Sequence, residues 1–276
     1  MNRKTSISLF AMVTLGLGIR LSSGQTPTKT PRRDFTRPEP ELENLPLKDS
    51  PQWSWTLRPW TGDDKPFVQI RQEVKEALDK EEDKLALVKK YQAEYADKED
   101  APSLFRWAYA AWVTEIPGQD KSQRMRYRIE PLQALRQVTL PDTYQYARLR
   151  FLYEMWNFKV PQLKYLGARL LKRNPDDFTV KFFFLRFLDP NKSAAERQQA
   201  ISLANELVKE NPTNAGAYTA LADVYFSLWF DGGDKKAGKQ AVAAYRKYLE
   251  VAPKDDYFRP QAQKIIDAIE KGIPPQ

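Results

Sequence analysis

The residue types in this chain restrict the chemistry that it could perform. Its 276 residues include no cysteine and no histidine. This composition excludes disulfides, zinc sites built on Cys or His, thiol nucleophiles and every catalytic triad that uses imidazole as its base. Carboxylate chemistry, acid–base work by Lys or Tyr and metal sites built from oxygen ligands remain. A protein that binds other macromolecules needs none of these.

The carboxylates do not mark an active site. Glycoside hydrolysis needs two carboxylates at a set separation, and Glu94, Glu115, Glu130 and Glu154 are candidates by residue type alone. An exported carbohydrate-active enzyme that uses carboxylates is therefore our third interpretation of the chain. We predict no enzyme activity and no cofactor.

The stretch Asp231-Gly232-Gly233-Asp234 is the one place that suggests an ion site. Lys235 and Lys236 follow it, where a calcium loop would need further acidic ligands. No Gly-Lys-Ser/Thr follows the glycines either, so a phosphate-binding loop is excluded. The stretch is typical of a turn after a helix, and we predict no metal site.

The net charge of +8 is concentrated in the middle of the chain. Residues 121–190 hold 14 basic and 6 acidic side chains, which accounts for the whole excess. A local excess of this kind indicates an anionic partner, such as an anionic polymer or a membrane surface. The basic residues expected on this surface are Arg124, Arg126, Arg128, Arg148 and Arg150. An extended backbone would place the first three on one side, whereas a helix would spread them.

The N-terminal residues have the pattern of an export signal. Arg3 and Lys4 precede an apolar run over residues 7–19, and small residues follow at 22–24. The run is shorter than the roughly 18 residues of a spanning helix. We predict a signal peptide over residues 1–24 and a periplasmic or secreted mature chain, with a signal anchor as the alternative. Nucleic acid is a poor partner for an exported chain.

Residues 25–66 form a separate segment of different composition. They include eight prolines and no sustained apolar period, so we expect an extended or irregular linker or wrapping arm. Trp53, Trp55 and Trp60 lie in its second half. Such apolar surface favours packing onto the folded domain, and a docking strip for another protein is the alternative.

Residues 67–276 form the third segment, and helical periodicity predominates in them. The apolar positions predict helices near residues 67–95, 102–114, 142–158, 161–173, 177–188, 194–210, 213–229, 238–251 and 259–271. The stretch RMRYRI, residues 124–129, alternates with a period of two and is the one candidate strand. The sequence therefore predicts an all-α domain.

Four prolines recur at a near-constant interval along this domain. Pro141, Pro175, Pro212 and Pro253 are separated by 34, 37 and 41 residues, and two helices fit into each interval. A period near 34 residues with two helices is typical of a helix-turn-helix solenoid. An irregular helical bundle is the alternative.

The last interval holds aromatic and small residues at set positions: Tyr218, Leu221, Ala222 and Tyr225 in its first helix, Ala241 and Tyr245 in its second, and the closing Pro253. These positions resemble the tetratricopeptide repeat (TPR) family, and the resemblance is best over residues 142–253. The resemblance implies an antiparallel α-solenoid. The apolar face of the helix near 259–271 suits a cap at its end.

The resemblance also implies where a partner would bind. Solenoids of this family bind a peptide or a partner helix on their concave face. The corresponding positions here are Phe182, Arg186, Thr219, Asp223 and Phe226. Some members of the family hold the C-terminal carboxylate of a partner with a Lys and an Asn. Arg186 and Asp223 stand at the corresponding places here. This difference argues against the same role in this chain. We expect a protein-binding scaffold or assembly factor of the cell envelope, with a binder of anionic polymers or membrane surfaces as the alternative.

Overall fold

The fold is described from a computed structural model that covers residues 51–114, 121–155 and 160–273, without the side chains of Pro51 and of residues 121–127. Every regular element in these ranges is a helix, which confirms the predicted all-α class. None of the described helices is both long and apolar enough to cross a membrane. The predicted signal peptide and residues 25–50 of the predicted arm lie outside the described residues.

Eleven α-helices and two short 3-10 helices are seen in the described residues. The α-helices are α1 Lys65–Lys80, α2 Lys84–Tyr95, α3 Ala101–Val113, α4 Lys121–Val138, α5 Tyr144–Glu154, α6 Pro161–Arg173, α7 Phe178–Phe184, α8 Ala194–Glu210, α9 Ala215–Phe230, α10 Lys235–Val251 and α11 Arg259–Lys271. The 3-10 helices are Pro51–Leu57 and Leu185–Phe187. The four spaced prolines each follow the end of a helix by two or three residues, because proline cannot continue the hydrogen-bond ladder.

The described chain divides into two compact units at Pro175 and Asp176. The first unit holds the 3-10 helix Pro51–Leu57 and helices α1–α6, and the second holds α7–α11. The sequence predicted one domain over residues 67–276. The stretch that holds Trp53, Trp55 and Trp60, residues 51–60, was expected outside it and is called the tryptophan segment below. In the structure the tryptophan segment belongs to the first unit.

Helices α3 and α5 form the centre of the first unit. Eight residues of α3, Leu104, Phe105 and residues 107–112, are buried, and α5 is buried at nearly every position. A helix that is buried on all sides must pack against several neighbours. Accordingly α3 packs against α1, α2, α4 and α5, and the Tyr153 hydroxyl donates a hydrogen bond of 3.0 Å to the Ala108 carbonyl between the two central helices.

The tryptophan segment packs against α5 and α6. Trp53 and Trp55 are buried, and Trp60 lies edge-on to Tyr144 at 5.6 Å between ring centroids. Arg169 of α6 lies over the Trp60 ring at 4.5 Å and donates hydrogen bonds to the carbonyls of Thr56 and Arg58, at 2.8 and 3.0 Å. One guanidinium thus holds two points of the segment. Trp53, Trp55 and Trp60 therefore pack onto the folded first unit.

The second unit is built from helices that each pack against the next along the chain, from α7 to α11. The α9 and α10 pair is the most extensive of these contacts, and small residues permit it: Ala222 and Ala241 are fully buried. Tyr245, Tyr248 and Ile266 fill the space between α9, α10 and α11.

The turn between α9 and α10 is shorter than the sequence predicted. The predicted helices over residues 213–229 and 238–251 leave eight residues between them, whereas in the structure only residues 231–234 separate the two helices. The Asp234 carboxylate accepts hydrogen bonds from the amides of Lys236 and Ala237 and so begins α10 at Lys235. Gly233 has a φ of 71°, a conformation that glycine adopts readily.

We expect Arg169→Ala to lower the free energy of unfolding by about 1–2 kcal/mol, because two charge-assisted hydrogen bonds and the Trp60 contact are lost. Urea unfolding followed by circular dichroism measures this change. Arg173→Ala is the control, since Arg173 is an exposed arginine of the same helix. Equal destabilisation by the two substitutions would show that Arg169 does not hold the segment.

Candidate functional site

One face of helix α9 carries most of the predicted binding groove. Thr219, Asp223, Phe226 and Phe230 follow one another at spacings of four, three and four residues, so they lie on the same side of the helix. The first three were predicted from the sequence, and Phe230 is added by the structure. These four residues differ in burial along the helix.

The N-terminal part of this face is closed to a partner. Thr219 is buried, and its hydroxyl donates a hydrogen bond of 3.0 Å to the Gly216 carbonyl within the same helix. Phe182 of α7 is buried as well, with its ring edge-on to Phe183 at 5.4 Å. Neither residue presents a side chain to the surface, so both serve packing.

Asp223 forms a polar pair with a tyrosine of the next helix. The Tyr245 hydroxyl donates a hydrogen bond of 2.7 Å to the Asp223 carboxylate. Burial raises the pKa of Asp223 from 3.8 to about 6, although the Tyr245 hydrogen bond lowers it in part. Burial and the nearby Asp223 charge raise the pKa of the Tyr245 phenol well above 10. Asp223 as a whole is only partly buried, but its carboxylate is largely desolvated.

The C-terminal part of the face is an aromatic cluster, formed by Phe226, Trp229 and Phe230. The rings of Phe226 and Phe230 stack at 5.5 Å with an angle of 16°, and Trp229 lies 5.7 Å from Phe226. Phe230 is 48% exposed. Trp229 is partly buried against α10, where Gly238 has no side chain: a Cβ there would lie 2.7 Å from the indole.

Arg186, the remaining predicted groove residue, lies in the 3-10 helix Leu185–Phe187 and is only partly exposed. Burial lowers the pKa of its guanidinium. The site therefore narrows from the five predicted groove residues to Phe226 with its neighbours Trp229 and Phe230.

The predicted basic surface begins in helix α4. The candidate strand RMRYRI is helical, so the alternation that would align Arg124, Arg126 and Arg128 is absent. The side chains of Arg124 and Arg126 lie outside the described residues. Arg128 lies 5.8 Å from the Trp112 ring centroid and donates a hydrogen bond of 3.3 Å to the Thr114 carbonyl.

The basic residues predicted in α5 lie mostly inside the first unit. Arg148 is 6% exposed, and the side chain of Arg150 is 11% exposed. Arg150 lies over the Trp55 ring at 4.0 Å, and its Nε is 3.6 Å from the Glu154 carboxylate. These two arginines do not contribute to a solvent-facing patch, because α5 is buried on nearly all sides.

A comparison with known protein-family models finds no match to this chain, and comparisons with curated proteins and with solved structures find none either.

The described site offers aromatic contact surface. Three adjacent aromatic rings at the end of α9 suit an apolar side chain of a partner. Of these three residues, the sequence predicted only Phe226 as part of the groove. The spacing of four residues between Phe226 and Phe230 was the available signal for their stacking.

We expect the second unit to lose stability as the pH rises from about 4 to about 6, because folding favours the protonated Asp223 carboxyl. This contribution is fully present below 3.8, the ordinary pKa of the carboxyl, and is lost as the pH passes its folded pKa. Asp223→Asn should remove this loss. The free energy of unfolding of the variant, relative to that of the unchanged protein, should therefore be about 2 kcal/mol higher at pH 7 than at pH 4. Urea unfolding at both pH values measures the difference.

Tyr245→Phe gives the opposite test of the same pair. The hydrogen bond from the Tyr245 hydroxyl lowers the pKa of Asp223. When this bond is lost, the pKa should rise further, and the decline in stability should extend to higher pH. A pH profile that neither substitution changes would show that Asp223 does not titrate in this range.

Proposed function

We propose that the protein is a non-catalytic interaction module of the cell envelope, built as a TPR-like helical solenoid. Its second unit binds a peptide or a partner helix through the aromatic cluster Phe226, Trp229 and Phe230. The observation that carries this proposal is the 48% exposure of Phe230, a large apolar side chain, beside two further aromatic rings.

The cluster is ready to bind without rearrangement. Phe226 stacks on Phe230, and Trp229 is fixed against the bare backbone at Gly238. Fixed aromatic rings contribute large contact area at a low cost in side-chain entropy. A partner that inserts a Leu, Met or aromatic side chain beside Phe230 would remove apolar surface of both molecules from water.

The helical-repeat part of the proposal is supported by the packing in the second unit. Helices α9 and α10 form an antiparallel pair with fully buried small residues at Ala222 and Ala241, and Tyr245 is buried between them and α11. These are positions at which the sequence resembles the TPR family. The envelope location is supported by the export-signal pattern of residues 1–24.

The geometry favours this function over the two alternatives. A binder of anionic polymers would use an exposed basic surface, but Arg148 and Arg150 lie mostly inside the first unit. A carbohydrate-active enzyme would use a carboxylate pair, and Glu154 is engaged in ion pairs with Arg136 and Arg150.

A peptide-binding experiment tests the proposal on the full-length chain. Peptides are selected from a random phage-displayed library, and their affinities for the purified protein are measured by fluorescence anisotropy. We expect selected peptides to share an apolar or aromatic anchor. Phe226→Ser and Phe230→Ser should each weaken binding by about tenfold or more, because each removes a central apolar contact.

Tyr257→Ser is the matched control, since Tyr257 is also exposed, at 54%, and follows the end of α10 that is opposite to the cluster. It should leave the affinity unchanged, and circular dichroism checks the fold of each variant. Selected peptides that bind all variants equally, or a selection that yields no peptide, would contradict the proposal.

A further inference from the structure

A charged cluster in the first unit is not balanced within the described residues. Arg136 of α4 and Arg150 of α5 both reach the same carboxylate oxygen, Glu154 Oε1. Arg136 pairs with it through Nη2, and Arg150 Nε lies 3.6 Å from it. One carboxylate can neutralise one guanidinium, so two cations and one anion leave a net positive charge in this cluster.

The cluster is largely removed from water, which makes that charge costly. The Glu154 and Arg150 side chains are 8% and 11% exposed. The Nε atoms of Arg136 and Arg150 are buried and have no hydrogen-bond acceptor among the described residues. Burial and, to a smaller extent, the positive charge of Arg136 together lower the pKa of Arg150 to about 10. Both guanidiniums stay protonated at neutral pH, so the excess positive charge persists. The buried Nε donors without acceptors add a further cost in free energy.

We propose that Arg136 and Arg150 form a binding site for a small oxyanion of the phosphate class. A guanidinium presents its donors in a planar fork that matches the oxygens of phosphate or sulfate. Two guanidiniums at one place give an oxyanion several donors at once. The bound anion would supply the missing negative charge and acceptors for the free donors.

The surroundings limit the size of the ligand and the direction of entry. Trp55 covers one face of the Arg150 guanidinium at 4.0 Å, and Tyr146 beside the cluster is fully buried. The Arg136 side chain is 33% exposed and is the open side of the cluster. A small free anion can reach both arginines from that side, whereas the headgroup layer of a membrane would contact Arg136 alone.

Thermal unfolding with inorganic phosphate as the probe tests this site. The melting temperature Tm of the full chain is measured against phosphate concentration, with sodium chloride holding the ionic strength constant. We expect a saturable rise of several degrees at about a hundredfold excess over Kd. Sulfate should act in the same way, and chloride should not.

Three variants separate the site from general charge effects. Arg136→Gln should abolish the phosphate-dependent rise, and Arg150→Gln should do the same if it folds. Arg173→Gln makes the same change in net charge at an exposed position of the same unit and should keep the full rise. Glu154→Gln removes the competing carboxylate and should enlarge the rise, although this variant starts from a lower Tm.

The opposite signs expected for Glu154→Gln and Arg136→Gln keep the proposal falsifiable. Equal Tm values in phosphate and chloride for the unchanged protein would overturn it, as would a loss in Arg173→Gln as large as that in Arg136→Gln.

Sedimentation with phosphatidic acid vesicles tests a lipid source of the phosphate. Vesicle binding that depends on Arg136, without any response to free phosphate, would replace the small-anion site by a lipid headgroup site. Phe230→Ser should leave the phosphate response unchanged, so this result is independent of the peptide-binding proposal.

Discussion

Helix α5 is buried on nearly all sides, and the charged side chains that it carries must therefore find partners inside the first unit. Charge that leaves water has to be paired or covered. Arg150 meets both needs: the Trp55 ring covers its guanidinium, and Glu154 lies one turn further along the same helix. Arg136 reaches Glu154 from α4. The tryptophan segment, α4 and α5 are thus connected through one charged cluster, and the position of each depends on it.

This burial also explains why the sequence misplaced part of the basic surface. The regional charge of residues 121–190 is a property of composition, and it does not say which arginines face water. Arg150 and Arg173 are both arginines of predicted helices, but α5 is buried at nearly every position, whereas Arg173 at the end of α6 is exposed. The available signal was the density of aromatic and aliphatic residues in Tyr144–Glu154, which is typical of a helix buried all round. The surroundings of Arg150 also depend on Arg136 of α4, which reaches Glu154. The sequence of α5 alone gives no information about this contact.

The second unit was more predictable, since its helices pack against neighbours in sequence. The predicted helix over residues 213–229 corresponds to α9, Ala215–Phe230, and the small residues Ala222 and Ala241 are buried where helices approach. The groove was predicted less well, because its accessibility depends on residues of other helices. Tyr245 from α10 engages Asp223, and neighbouring packing encloses Phe182 and Thr219. The turn was misjudged because the Asp234 cap starts α10 three residues before the predicted 238.

The two proposed sites depend on different physical interactions, and this difference explains how one chain could hold both. The aromatic cluster binds through removal of apolar surface from water, which salts such as sulfate strengthen. The arginine cluster binds through charge, which is screened by salt where it is exposed and much less where it is buried. Arg150 is shielded by Trp55, so its attraction for an anion should survive at salt concentrations that suppress an exposed patch. Phe230 is left in water, but its orientation is already set by Phe226. In each case a neighbouring aromatic ring fixes the binding group before the ligand arrives, and the fold rather than the ligand supplies that order.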